Sequence, residues 1–353
     1  MKKKPCHKRK DIAIFLINLL LCMTLLGCTS VVEESGEPTE DDGKIQIGFS
    51  FDSFLIERWE RDRDVFVSTA KELGAEVNVQ NANGSVEEQI AQIEYLIEKQ
   101  MDVIVIVGVD AEALSEVTQK AKAAGIVVIA YDRMIHNGNA DLYISFDNEK
   151  VGSLMGEAMV SRGLAQKKVL MLSGPTADDN VALVNRGFQS VMDANGIEVV
   201  DIMYADNWKP EYASDYIYAH PEVLDEIDGI MCGNDSLATQ VIRVLAEKRR
   251  AGSMIVTGQD ADLEACQRIV EGTQLMTVYK PVDKQAKVAA ECAIALAKGE
   301  EIGEINMYIS DGTYEIPGIV LEPVAVYRQN MDETIIESGF HLREDVYLNV
   351  AKE

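Results

Sequence analysis

"DVIVIVGVDAEALSEVTQKAKAAGIVVIAYD", residues 102–132, decides the fold. An apolar run of strand length opens it, helical spacing follows over 111–124, and "GIVVIAYD" closes it. The two apolar runs are continuous rather than alternating, as expected of strands covered on both faces. Strand, helix and strand in this order form a βαβ unit of a parallel sheet. The same rhythm extends outward in both directions. Upstream, "KIQIGFS" and "AEVNVQN" read as strands, with helices over 57–73 and 85–100; downstream, "DLYISFD" is another strand.

The rhythm then restarts. A helix over 149–162 leads to "KKVLMLSG", and one over 180–195 leads to "IEVVDIMYA". Helical stretches over 212–220, 236–248 and 263–271 precede "GIMCGND", "SMIVTGQD" and "QLMTVYK". A long helix over 282–298, irregular chain and a last strand, "EPVAVYRQ", complete the pattern. The fold class is therefore α/β, with two doubly wound parallel-sheet (Rossmann-like) lobes. The lobes are predicted to be joined by three crossings: near Asp147, at 278–282, and between about 304 and 318. The N-terminal lobe is expected at 44–147 with about 281–306, and the C-terminal lobe at 148–280 with about 307–330. Residues 331–353 read as a tail.

The first 27 residues read as a leader rather than as part of the fold. Six basic residues from Lys2 to Lys10 precede an apolar run over 12–26, too short for a comfortable membrane span. It ends in "LLGC", which resembles the lipobox of bacterial lipoproteins. That resemblance implies cleavage before Cys28, lipidation of Cys28, and a mature protein tethered to the extracellular face of the cell membrane. Residues 28–43 are acidic and without periodicity, as in a flexible spacer. The formal charge of −26 becomes −31 without the leader. A surface this acidic repels phosphate backbones, so nucleic acid is not an expected partner.

Three cysteines remain after the lipidated one: Cys232, Cys266 and Cys292. They are odd in number and widely spaced, which fits buried apolar packing better than pairing. No metal-ligand spacing such as CxxC or HExxH occurs, and the four histidines do not cluster. No GxGxxG or GxxxxGK[ST] loop is present, so neither a nucleotide nor any other cofactor is expected.

The informative residues follow the apolar runs. Asp132 and Arg133 end one run; Asp178, Asp179 and Asn180 follow another. Asn234 and Asp235, Gln259 and Asp260, and Lys280 end three more. Singly, each could be a helix cap or turn residue. Together they should converge, because open parallel sheets bind ligands beyond the carboxyl ends of their strands. With two such lobes, the natural site is the cleft between them. Carboxylates, amides, Arg and Lys without a phosphate loop suit a neutral molecule dense in hydroxyls, since each hydroxyl both donates and accepts. The only two tryptophans, Trp59 and Trp208, follow strands at the same end of the two sheets, where they could stack on the C–H faces of a sugar.

These motifs also carry a family resemblance. The leader and "LLGC", then "IERWERDRD", "VQNANG", "AYDRMI", "YISFDNEKVG", "GNDSLA", "GQDADL" and "MTVYKP", resemble the xylose-binding proteins of bacterial ABC sugar transporters. Those belong to the type I periplasmic-binding-protein superfamily, alongside ribose- and galactose-binding proteins. The resemblance runs from about residue 44 to about 329. It implies sugar contacts at Arg58, Trp59, Asp132, Arg133, Asp178, Asn180, Trp208, Asn234, Asp260 and Lys280. Ser53 and Phe54 depart from the family pattern, which has a second acid and a more polar neighbour there. Glu57 is left unassigned, and residues 60–64 read mainly as a solvated helix turn.

The implied function is an extracellular lipoprotein that captures D-xylose or a related monosaccharide and delivers it to ABC permease subunits. It involves no chemistry on the sugar. A sensor that presents bound xylose to a membrane histidine kinase would have the same binding lobes. An enzyme would need a nucleophile–base constellation, which the sequence does not offer. A sugar-responsive repressor would need a DNA-reading module where the leader stands.

Overall fold

A computed structural model of the protein describes residues 43–303 and 305–350. The leader, Cys28 and the spacer up to residue 42 lie outside the described residues. From Lys44 onward the chain forms one compact unit built of two sheets.

The first sheet contains β1 (Gln46–Phe51), β2 (Glu76–Asn81), β3 (Val103–Ile106), β4 (Val127–Tyr131) and β5 (Leu142–Phe146). The second contains β6 (Lys168–Ser173), β7 (Glu198–Tyr204), β8 (Gly229–Cys232), β9 (Ile255–Gln259) and β10 (Met276–Tyr279). The spatial orders are β2-β1-β3-β4-β5 and β7-β6-β8-β9-β10, all parallel. The two lobes thus repeat one doubly wound topology, and β4 is the counterpart of β9. Strands in the middle of each sheet are buried on both faces, as in "VIVI" of β3. The edge strands β2 and β7 are only partly covered.

Three strands complete the sheets: β11 (Met307–Ser310), β12 (Glu315–Leu321) and β13 (Val324–Val326). They correct the expected boundaries. Residues 307–321 were expected in the second lobe but extend the first sheet: β12 runs parallel to β5, and β11 folds back on β12. The buried Asp311 holds the turn between them. Its Oδ1 accepts from the N–H groups of Thr313 and Tyr314 at 2.9 and 2.7 Å, and its Oδ2 accepts from Asn139 N at 2.9 Å. The third crossing therefore falls at Glu322 and Pro323, between β12 and β13, where β13 pairs antiparallel with β10.

The helices α1 (Arg58–Glu72), α2 (Val86–Glu98) and α3 (Ser115–Ala123) cover the first sheet. The second lobe carries α4 (Asn148–Arg162), α5 (Asp179–Ala194), α6 (Glu211–Ala219), α7 (Val223–Glu226), α8 (Asp235–Glu247) and α9 (Leu263–Glu271). α4 and α5 pack with their backbones nearly touching: a Cβ on Gly152 would meet Val184 O at 1.9 Å, and one on Gly187 would meet Glu149 O at 1.9 Å. α10 (Val282–Ala297) returns to the first lobe beside α1, as expected. The segment read as a tail is instead packed against the fold. It contains α11 (Arg343–Val346) and buries Met331, Ile335, Phe340 and Val346. The three cysteines that follow residue 28 are buried.

Candidate functional site

The carboxyl ends of both sheets face each other across a small interlobe cavity. Nine of the ten expected residues line it: Arg58, Trp59, Asp132, Arg133, Asp178, Asn180, Trp208, Asp260 and Lys280. Asn234 stands one position behind the wall, at its neighbour Gly233. It is the N-cap of α8, with Oδ1 accepting from Leu237 N at 2.9 Å, so the local role of such a residue holds here. Its Nδ2 is buried without a partner among the described residues.

Two of the lining residues show how the lobes build the site alike. Asp132 follows β4 and Asp260 follows β9, the equivalent strand. Both are left-handed, with φ of +65° and +94°. Each N–H reaches back to the next strand, Asp132 N to Ile144 O at 2.7 Å and Asp260 N to Val278 O at 2.9 Å. Non-glycine residues rarely hold this conformation, and where they do the strain concentrates at functional sites.

The charged groups form three ion-paired sets. Arg58 pairs with Asp62 at 3.1 Å and Asp132 at 2.9 Å. Arg133 bridges Asp52 and Asp178, each at 2.8 Å. Lys280 pairs with Asp260 at 2.7 Å. Burial alone would raise the Asp132 carboxyl, but Arg58, Lys280 and Arg133 together hold it below the usual range. Burial prevails at Asp178 and raises its carboxyl despite Arg133. Asp52 and Asp62 are raised for the same reason.

Several of these contacts join the lobes, which are closed on each other. Arg133 and Asp178 belong to different lobes, and Asn180 Nδ2 donates to the backbone oxygen and Oδ1 of Asp132, both at 3.1 Å. Asp179 lies just behind the wall, where His136 of the first lobe approaches it at 3.1 Å.

Both tryptophans are buried and line the cavity. The Arg58 guanidinium lies 4.4 Å from the ring centroid of Trp59, and Trp59 Nε1 has no partner among the described residues. Trp208 donates from Nε1 to Asp178 Oδ2 at 3.1 Å. It sits in a short turn with Asn207, both left-handed, and its ring packs closely against Gly174. A Cβ there would come within 2.3 Å of the indole.

Other site residues carry no local signal of function. Asn148, at the start of α4, donates to Asn180 Oδ1 at 2.9 Å. Gln285 of α10 accepts from Arg58 at 2.7 Å and donates to Ile144 O at 3.1 Å. Asp62 was read as part of a solvated turn, yet it is fully buried, clasps Arg58 and accepts from the Tyr131 hydroxyl. Its i to i+4 spacing from Arg58 was visible in the sequence, but its burial was not. Gln259 and Gly174 also line the wall. Gln259 follows the same strand-end logic as Asp260 and could have been included. No cluster of potential metal ligands occurs among the described residues. The wall offers acceptors, donors and two flat rings, the means of holding a polyhydroxylated ring by hydrogen bonds and stacking.

Residues 47–301 match the family model described as "Periplasmic binding protein domain". The D-xylose-binding periplasmic protein of Haemophilus influenzae is 40% identical over 330 residues, covering 92% of this chain and 98% of that protein. The protein of the same name from Escherichia coli is 38% identical over 335 residues, covering 94% and 98%. Among solved structures, an ABC transporter solute-binding protein of Clostridium phytofermentans with bound β-D-glucose superimposes with a TM-score of 0.78 at 26% identity, covering 85% of this chain and 99% of that one.

Proposed function

The chain belongs to the periplasmic binding protein family, and we propose that it captures D-xylose between its lobes and delivers it to the permease of an ABC transporter. The observation that carries this reading is the convergence of Arg58, Asp132, Arg133, Asp178, Asp260 and Lys280 with both tryptophans on one interlobe cavity. Support for xylose comes from the two relatives at 38–40% identity, which are D-xylose-binding proteins over nearly their whole length. Carboxylates would accept from the sugar hydroxyls, Arg58, Arg133 and Lys280 would donate to them, and Trp59 and Trp208 would cover the C–H faces. Asn234 would contribute through its unpartnered Nδ2. The sugar would touch both lobes and so stabilise the closed form over the open one.

Titration calorimetry with xylose, ribose, arabinose and glucose tests the assignment. Xylose is expected to bind most tightly. Glucose binding without xylose binding would overturn the sugar assigned, and no binding of any would overturn the function.

The same proposal places the mature protein on the outer face of the membrane, held by a lipid on Cys28. Its permease docks on the closed form. Cys28→Ala should move the protein from the detergent phase to the aqueous phase on partitioning; unchanged partitioning would rule out the anchor.

A further inference from the structure

α9 starts directly behind the turn that carries Asp260, and its first turn lacks a local cap. The N-cap residue Asp262 makes no side-chain bond to the free N–H groups of the helix. Its Oδ1 is buried without a partner among the described residues. The acceptor arrives instead from the opposite lobe: Glu57 Oε1 accepts from Leu263 N at 3.3 Å. Leu263 is the first residue of α9, so a carboxylate stands at the positive end of the helix dipole. Burial, reinforced by Asp235, Asp260 and Glu57, pushes the Asp262 carboxyl well above its usual range.

A second line runs from α1 to the same turn. Arg61, one helical turn beyond Glu57, donates to Phe340 O at 3.0 Å and Gly339 O at 3.4 Å. The next residue, His341, donates from Nε2 to Ala261 O at 2.8 Å. Ala261 and Asp260 are both left-handed, with φ of +57° and +94°. Both lines, one directly from Glu57 at the start of α1 and one from Arg61 through residues 339–341, thus end on the strained turn at 260–263.

From this convergence we infer that Glu57 is a positioning residue, which clamps the Asp260 turn to the first lobe and thereby tightens sugar binding. The inference rests on the sugar-binding reading above. Glu57 is not part of the cavity wall, whereas its neighbours Ile56, Arg58 and Trp59 are. Its bond joins groups on different lobes, so it forms only on closure and favours the closed state alone. The loss of one such cap corresponds to about a five-fold change in affinity.

The test uses the full chain with Glu57→Ala and Glu57→Gln, D-xylose calorimetry and stopped-flow dissociation. Glu57→Ala should weaken binding about five-fold, mainly through faster dissociation, without shifting the melting midpoint of the sugar-free protein. Glu57→Gln keeps an acceptor oxygen but not the charge, and should fall between the parent and Glu57→Ala. Affinity within roughly 1.5-fold of the parent for Glu57→Ala, while Asp260→Ala loses binding, would overturn the clamp and leave the sugar site standing. A lowered sugar-free midpoint with an unchanged dissociation rate would equally overturn it, because that is the mark of a fold defect. If the parent bound no sugar at all, the functional reading would fall instead. The clamp, as a device that tightens sugar binding, would fall with it.

Discussion

At the scale of single residues, the backbone at Asp260 separates two contributions. The left-handed conformation costs a non-glycine residue ~1–2 kcal/mol, and the carboxylate is there for what it can bind. Asp260→Ala loses the carboxylate and keeps the strain; Asp260→Gly loses both. Each variant should lose ~1–3 kcal/mol of xylose affinity by calorimetry, because sugar hydroxyls would be left unpaired. In thermal melts of the sugar-free protein, Asp260→Gly should be the more stable of the two by ~1 kcal/mol. Equal stability would mean that the turn holds no strain. Gly174 matters for a different reason, since its missing side chain is the space the Trp208 ring occupies. Gly174→Ala should therefore displace the indole and weaken xylose binding by about as much as Trp208→Ala, ~1–3 kcal/mol. Full affinity in both variants would remove Trp208 from the site.

Among the elements, the closest packing is between α4 and α5, where two glycines let the backbones approach. A methyl group on Gly187 would meet a main-chain carbonyl, which cannot rotate away as a flexible side chain can. Gly187→Ala should cost ~1–3 kcal/mol in denaturant unfolding, at the upper end of that range. Either glycine looks like an unremarkable residue in a helical stretch, because what constrains it is a partner some 35 positions away in the chain. The same distinction separates what the sequence revealed from what it hid. The β6–α5 and β9–α9 units announce themselves by apolar runs followed by polar strand ends, and the expected residues they carry, Asp178, Asn180 and Asp260, reach the wall. The β11–β12 hairpin does not: its outer strand is only four residues long and largely exposed. The aspartate that fixes its turn bonds Asn139, 172 positions away. Asp62 and Gln285 escaped for the same reason, since each acts on Arg58 through contacts that exist only after folding.

For the whole molecule, the second lobe keeps buried acid behind the site. Asp235 is fully buried, accepts from Thr277 Oγ1 at 2.6 Å and Gln274 Nε2 at 2.8 Å, and is pushed up to about 7, chiefly by burial. The folded protein therefore keeps a proton that the unfolded chain gives up near pH 4. Asp235 contributes its full stability below that pH, loses it as pH rises towards 7, and changes little above. Asp132, held low mainly by Arg58, acts in the opposite sense, and its stabilisation disappears only at still lower pH. Between pH 5 and 7 the parent should lose up to ~1.4 kcal/mol per pH unit from Asp235, and Asp235→Asn should show a shallower slope whatever its absolute stability. Identical slopes would place that proton elsewhere. Xylose at about 100 times its Kd should add ~2.7 kcal/mol of stability, seen as a raised Tm that glucose matches only if it binds.

The glycine contact between α4 and α5 also bears on speed. α4 begins at the first crossing and carries Asn148 into the site, and with no slack against α5 it can swing only by taking the rest of its lobe along. The lobe then behaves as a rotor, and closing follows a single reaction coordinate. Xylose-binding transients should accordingly be single-exponential at every sugar concentration, whereas a loosened Gly152→Ala or Gly187→Ala rotor would add a second, slower phase.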